Sequence, residues 1–142
     1  MTVETFRGSA DELEPLVAAG RAEGWTFVAK LAAEIARGDF ERPGASLFGV
    51  YGGALLGVCG LVRDPYLEDR PEVGRLRHLY VLPAHRGQGA ATALVNAVIG
   101  EARRHYRLLR LRTDSPNAAR LYEALGFAAV AEHAATHRLT LR

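Results

Sequence analysis

Apolar positions along this chain follow two periods, and the switches between them predict the order β-α-α-β-β-β-α-β-α-β-β. Residues 2–6 alternate as an edge strand does. Ser9-Ala10-Asp11-Glu12 has the form of a capping box, opening a helix whose apolar positions are Leu13, Leu16 and Val17. Pro15 bends that helix or moves its start toward Asp11. A second helix spans about 26–37, with Phe27, Leu31 and Ile35 at four-residue spacing and Gly38 past its end. Residues 46–51 and 54–62 read as a hairpin turned by Gly52-Gly53. A loop rich in Asp, Glu and Pro (64–72) precedes a strand over 74–82. A helix over 89–106 follows, with Leu94, Val98 and Ala102 on one face, then a strand over 108–113. A helix over 117–125 and strands over 128–131 and 136–141 complete the series.

Composition narrows the class. At 142 residues, 49% hydrophobic and 24% charged, the chain reads as one globular domain over 1–142 with room for a sizeable core. No apolar run reaches the roughly 18–20 residues a membrane span requires. The first residues lack a basic stretch followed by an apolar one, so no secretory signal is expected and a cytoplasmic location is. Cys59 stands alone in an apolar strand, which excludes an internal disulfide and a cysteine metal cluster. His78, His85, His105, His133 and His137 show no metal-ligand spacing, and no metal is expected. The charge is uneven: residues 1–72 hold 12 acidic and 7 basic side chains, residues 73–142 hold 4 and 11. A polyanionic ligand at the C-terminal half and a cationic one at the N-terminal half would account for the split.

The most informative stretch is Leu-Tyr-Val-Leu-Pro-Ala-His-Arg-Gly-Gln-Gly-Ala-Ala-Thr-Ala-Leu, residues 79–94. An apolar strand stops at Pro83, and a basic, glycine-rich turn leads into an apolar helix. Such a turn leaves unpaired N–H groups converging where the helix dipole favours negative charge, and Arg86 adds a cation with fork geometry suited to phosphate. A P-loop would need Gly-Lys-Ser/Thr, whereas Ala90 and Ala91 follow Gly89. A dinucleotide fingerprint would need a third glycine, where Thr92 stands, and a turn placed directly after the strand, although Asp114 could imitate the ribose-binding acid. The pattern Gln/Arg-x-x-Gly-x-Gly/Ala is met by Arg86, Gly89 and Ala91.

A second block, Ser-Pro-Asn-Ala-Ala-Arg-Leu-Tyr-Glu-Ala-Leu-Gly-Phe over 115–127, lies about thirty residues on. Together the two resemble the acetyl-coenzyme A loop and the Asn-x-x-Ala-x-x-Leu-Tyr-x-x-x-Gly-Phe helix of the GNAT superfamily of N-acetyltransferases. The second is matched at Ala118, Leu121, Tyr122, Gly126 and Phe127. The likeness covers about residues 73–130. It departs where the family has Asn seven residues before the Tyr, since this chain has Ser115, with Asn117 two positions later.

The resemblance implies an α/β (α+β) GNAT fold: a mixed, mostly antiparallel central sheet flanked by about four helices, with strands 74–82 and 108–113 splayed for acetyl-CoA. It implies an acetyl-CoA-dependent N-acetyltransferase acting on a primary amine by direct attack. Main-chain groups of Arg86, Gly87, Gln88, Gly89, Ala90 and Ala91 would hold the diphosphate. A kinked or bulged strand at Leu79, Tyr80 and Val81 would offer an N–H to the thioester carbonyl, and Ser115 or Asn117 would meet the pantetheine arm. Tyr122 would be the general acid, a phenol near pKa 10 being matched to a departing thiolate.

Neither splayed strand carries a carboxylate. His78, alternating onto the face of Tyr80, is therefore the leading base, with Glu72 in reserve and a base-free route through ordered water also open. The acceptor pocket is expected from the helix connection Glu23-Gly24-Trp25 and the acidic loop, with Glu68, Asp69 and Glu72 attracting an ammonium group. Many family members form homodimers through their C-terminal strands. Two other classes remain: a catalytically silent acyl-CoA-binding or sensing module, and a nucleic-acid binder using the positive C-terminal half. The chain lacks the clustered basic runs with interleaved aromatics that the last would need, so neither nucleic acid nor membrane is an expected partner.

Overall fold

The computed structural model describes residues 1–142. Seven strands form one sheet: β1 (Thr2–Thr5), β2 (Ser46–Tyr51), β3 (Leu55–Arg63), β4 (Val73–Val81), β5 (Leu108–Leu111), β6 (Ala128–Glu132) and β7 (Ala135–Thr140). Their order across the sheet is β1-β2-β3-β4-β5-β7-β6. Four helices, α1 (Glu14–Ala22), α2 (Phe27–Ala36), α3 (Ala90–Ala102) and α4 (Pro116–Ala124), cover its two faces. This is the mixed sheet expected from the sequence, and every neighbouring pair is antiparallel except β4–β5. No helix is long and apolar enough to cross a membrane.

Two apolar clusters hold the layers together. On one face Leu94, Val95, Val98 and Ile99 of α3 pack on Leu61, Leu76, Leu109 and Leu111, joined by Tyr122 and Phe127. On the other, Leu16 and Val17 of α1 with Val28 and Leu31 of α2 pack on Leu47, Val58 and Tyr80. The central strand β3 is buried over its first seven residues, as expected of a strand covered on both sides.

The capping box at Ser9 does not form. The Ser9 side chain makes no capping bond, and residues 10–13 take a 3-10 turn before α1 begins at Glu14. Pro15 explains this: it has no N–H to donate and is tolerated only in the first helical turn, so the α-helix starts around it. The buried positions of α2 also differ from the Phe27–Leu31–Ile35 stripe; they are Val28, Leu31 and Glu34.

Two features open the sheet. The parallel pairing of β4 and β5 covers only Val73 with Leu108, Gly74 with Leu109 and Arg75 with Arg110. Beyond Arg75 the strands separate while β4 runs on to Val81. Within β4 the register with β3 slips, because Val58 faces Tyr80 whereas Gly60 faces Arg77. Two residues, His78 and Leu79, thus stand opposite Cys59, which makes a β-bulge with His78 in the left-handed region at φ 60°. The expected kink is present and begins one residue earlier than Leu79.

Gly57 admits the bulged strand. A Cβ there would lie 2.8 Å from the Tyr80 carbonyl oxygen and 3.1 Å from Val81 Cγ2. Gly57→Ala is expected to destabilise the fold by about 1–3 kcal/mol through backbone displacement, measured by urea unfolding; an unchanged midpoint would contradict this packing.

Candidate active site

A cleft of about 820 Å³ runs through the split between β4 and β5. Its walls include Leu76–Val81 of β4, Leu111–Ser115 after β5, and Asn117, Ala118, Leu121 and Tyr122 of α4. Trp25, Phe27 and Lys30 close one side of its mouth. A smaller hollow of about 190 Å³ adjoins it, lined by Val81, His85, Arg86, Gly87 and Gly89–Thr92 at the start of α3.

That hollow is a row of donors. The N–H groups of residues 87–92 find no acceptor within the chain; the first that does is Ala93, bonded to the Gly89 carbonyl at 3.0 Å. Gly87 and Gly89 take φ of 78° and 85°, and a Cβ at either would meet nothing within 4 Å. These glycines therefore serve backbone conformation, and the space before the donors is open. Consecutive free N–H groups at a thirteen-residue helix suit a diphosphate. Gln88 is exposed and does not line the hollow.

Arg86 does not point into that row. Its Nη1 and Nη2 donate to Glu23 Oε2 and Oε1 at 2.8 and 2.7 Å, and its Nε donates to the Val81 carbonyl at 2.9 Å. The Tyr80 hydroxyl donates to the same Glu23 Oε1 at 2.5 Å. Arg86, with Tyr80, holds the Glu23 carboxyl below its ordinary value. Burial, reinforced by Glu23, pushes the Tyr80 phenol up to about 12. The expected phosphate cation is instead a strut between the loop and the α1–α2 connection, because a planar fork facing a carboxylate forms two parallel bonds.

His78 is placed by Glu34. Glu34 on α2 is 6% exposed, and its Oε2 and Oε1 lie 2.8 and 3.1 Å from His78 Nε2. A carboxylate only accepts, so Nε2 carries a proton toward it, and Nδ1 makes no bond within the chain. Phe27 stacks on the imidazole at 6.1 Å and 14° between planes. Burial opposes ionisation of Glu34, yet His78 and Arg77, whose Nη1 is 3.8 Å from Oε1, hold its carboxyl below the usual range. The bulge explains how consecutive residues Arg77 and His78 both reach α2, which strict alternation would forbid. Glu34 escaped the sequence reading, although its position three residues after buried Leu31 was a usable signal: a carboxylate on an apolar stripe needs a partner.

Tyr122 lies on α4, whose start is capped by Ser115: its Oγ accepts from the Ala118 N–H at 3.3 Å. The ring is buried against Phe127 at 5.5 Å, while its hydroxyl lines the cleft and makes no hydrogen bond in the chain. Burial raises its pKa above the ordinary phenol value, which keeps the proton in place. Ser115 is thus a cleft wall with its hydroxyl committed to capping, whereas Asn117 is exposed at the rim and accepts from Arg120.

Comparison with known proteins decides the family. Residues 12–127 match the acetyltransferase (GNAT) family model. The chain belongs to the GNAT family. It is 39% identical over 100 residues to the mouse (Mus musculus) protein "Probable N-acetyltransferase family 8 member 5", a match covering 67% of this chain and 43% of that one, so the chain spans less than half that relative's length. Among solved structures, a protein from Exiguobacterium sp. 255-15 assigned as an acetyltransferase superposes with TM-score 0.87 at 27% identity, covering 98% of this chain and 92% of that one. A phosphinothricin acetyltransferase from Sinorhizobium meliloti in complex with AcCoA gives TM-score 0.79 at 17% identity, covering 99% and 88%.

Within this GNAT fold, Glu72 is misplaced for any role at the cleft. It precedes the paired end of β4, bonds Arg70 at 2.9 Å, and its carbonyl accepts from Arg107 at the root of the split. Of loop 64–72 only Tyr66 lines the cleft, so Glu68 and Asp69 play no part there either. Trp25 does form a wall, 46% exposed and 6.1 Å from Phe27.

Because Glu34 titrates lower folded than unfolded, its stabilisation is full above the unfolded value of about 4.3 and lost as pH falls through the folded value. The stability difference between the parent chain and Glu34→Gln, from denaturant unfolding, is expected to shrink as pH falls from about 5 to about 3. A difference that grows on acidification would contradict the pairing.

Proposed function

We propose that this chain is an acetyl-CoA-dependent N-acetyltransferase that acetylates a primary amine by direct attack. The observation that carries the reading is a cleft and the hollow adjoining it, which bring three things together: the row of free N–H groups at 87–92, the unpartnered Tyr122 hydroxyl, and the His78–Glu34 pair. The residues fit the co-substrate: six successive donors for a diphosphate, then an apolar channel past Leu79, Ala91, Ala118 and Leu121 for a pantetheine arm. Acetyl-CoA, when bound, supplies an acyl group on a thiolate leaving group.

The chain's own residues then act in order. His78, held as the Nε2–H tautomer by Glu34, accepts the ammonium proton at Nδ1 and frees the amine nitrogen. The nitrogen bonds to the carbonyl carbon, and the developing oxyanion is met by main-chain N–H groups at the bulge of β4. The carbon–sulfur bond breaks as Tyr122 Oη passes its proton to sulfur, and the surplus proton on the newly bonded nitrogen returns to the phenolate, leaving a neutral amide and a thiol. A buried phenol stays protonated until the thiolate forms beside it, and the same burial that raises the phenol raises the basicity of that thiolate.

The His78–Glu34 pair supplies the carboxylate missing from β4 and β5, and so weakens the alternative of a silent acyl-CoA-binding module. Tyr122→Phe is expected to lower turnover roughly 10²–10⁴-fold in an assay of free-thiol release across an amine panel. Acetyl-CoA at 100 times its dissociation constant should still stabilise that variant by about 2.7 kcal/mol. Undiminished turnover would remove Tyr122 from the chemistry. Acetyl-CoA binding without amine acetylation in the parent chain would favour the silent module.

A further inference from the structure

The charges lining the cleft are opposite in sign to those expected for an ammonium-seeking pocket. Lys30, Arg75, Arg77, Arg86 and Arg112 line it against two carboxylates: Glu23, gripped by Arg86 and Tyr80, and exposed Asp114, 4.0 Å from Arg112. At the root of the split three guanidinium groups (Arg75, Arg110, Arg138) meet only two carboxylates, Asp64 and Glu132. Arg75 and Arg110 are 6% and 2% exposed, and each retains a buried guanidinium nitrogen without a hydrogen-bond partner. That surplus positive charge lies at the root of the split and leaves the inner end of the cleft electropositive.

These cations are not on the diphosphate's side. Leu76, Leu109 and Leu111 face the α3 layer, whereas Arg77 reaches Glu34 on α2 and Arg75 donates to the Ala134 carbonyl at 2.6 Å. Arg75 and Arg77 therefore share the face of His78. Arg77 Nη1 and His78 Nε2 both contact Glu34 Oε1, at 3.8 and 3.1 Å, close enough for one short molecule to touch both side chains. Of three exposed large hydrophobic residues in the chain, two, Trp25 and Tyr66, are walls of this same cleft. Exposed aromatic surface beside a cation suits an acceptor with an apolar body.

We infer that the acceptor is a primary amine carrying an anionic group, such as a carboxylate, within a few bonds of its nitrogen and an apolar side chain, with Arg77 and Lys30 reading the anion while His78 takes the ammonium proton. This rests on the acetyltransferase reading above and specifies its acceptor. Burial lowers the Arg75 pKa against the pull of Asp64, as expected of a guanidinium with too little negative charge nearby, but a guanidinium stays charged at neutral pH.

Matched probes test it: phenylalanine, its amide, and 2-phenylethylamine, with thiol release from acetyl-CoA as readout. The acid is expected to exceed both others in kcat/KM by about tenfold or more, the usual discrimination from a charge-assisted bond. Arg77→Gln is expected to collapse that ratio toward one while acetyl-CoA affinity by calorimetry is kept, and Lys30→Gln gives a second reading should the first variant not fold. Acetylation of the amide or amine in preference to the acid overturns the inference and leaves the acetyltransferase reading standing. Loss of acetyl-CoA affinity in the folded variants also overturns it, since the cations would then serve the co-substrate. No thiol release with any of the three probes, despite acetyl-CoA binding, overturns this inference, and thiol release across the wider amine panel then decides the acetyltransferase reading separately.

Discussion

Everything about this site depends on how briefly β4 and β5 stay paired. Three residue pairs hold two parallel strands together, and the strands then part to make the walls of the cleft. Backbone bonds alone are a weak hinge over such a length. Side chains reinforce it: Asp64, fully buried, accepts from Arg110 Nε at 2.8 Å and from the Tyr66 N–H at 2.9 Å, and lies 3.5 Å from Arg75. Arg75 and Arg110 are the last paired residues before the split. Breaking a buried ion pair typically costs about 3–5 kcal/mol, so this cluster pins the root of the cleft where hydrogen-bonded ladder gives out.

Above that root, the bulge and the helices divide the work. The extra residue in β4 turns Arg77 and His78 toward α2, while Leu76 and Val81 keep their places in the core under α3. Glu34 and Glu23, from α2 and the α1–α2 connection, then fix His78, Tyr80 and Arg86 from outside the sheet. Long-range carboxylates thus orient strand side chains that the sheet itself would leave free to rotate. Ser115 does the corresponding local work on the opposite wall, seating α4 so that Tyr122 presents its hydroxyl to the channel.

Much of this was legible in the residues alone. The order of elements, the turn at 87–91 and the Tyr122 helix follow from local spacing, and the structure places them accordingly. What failed was whatever depended on contacts between distant segments. Arg86 looked like a free phosphate cation because Glu23, 63 residues away, is invisible to a local pattern. Glu72 looked adjacent to the chemistry because it adjoins β4 in sequence, yet the strand's length separates it from His78. His78 shows no partner in the local sequence because Glu34 arrives from another element, 44 residues off. The capping box failed for a local reason, Pro15 outranking the Ser9 side chain.

His78 holds a left-handed backbone that glycine would adopt freely and that disfavours an L side chain by about 1–2 kcal/mol. On the role proposed for His78, durability and reactivity are opposed at this one position: exchange for glycine would relax the chain while emptying the imidazole from the cleft. Under that proposal, the residue found there would sort proteins able to take up the amine proton from those that keep only the shape.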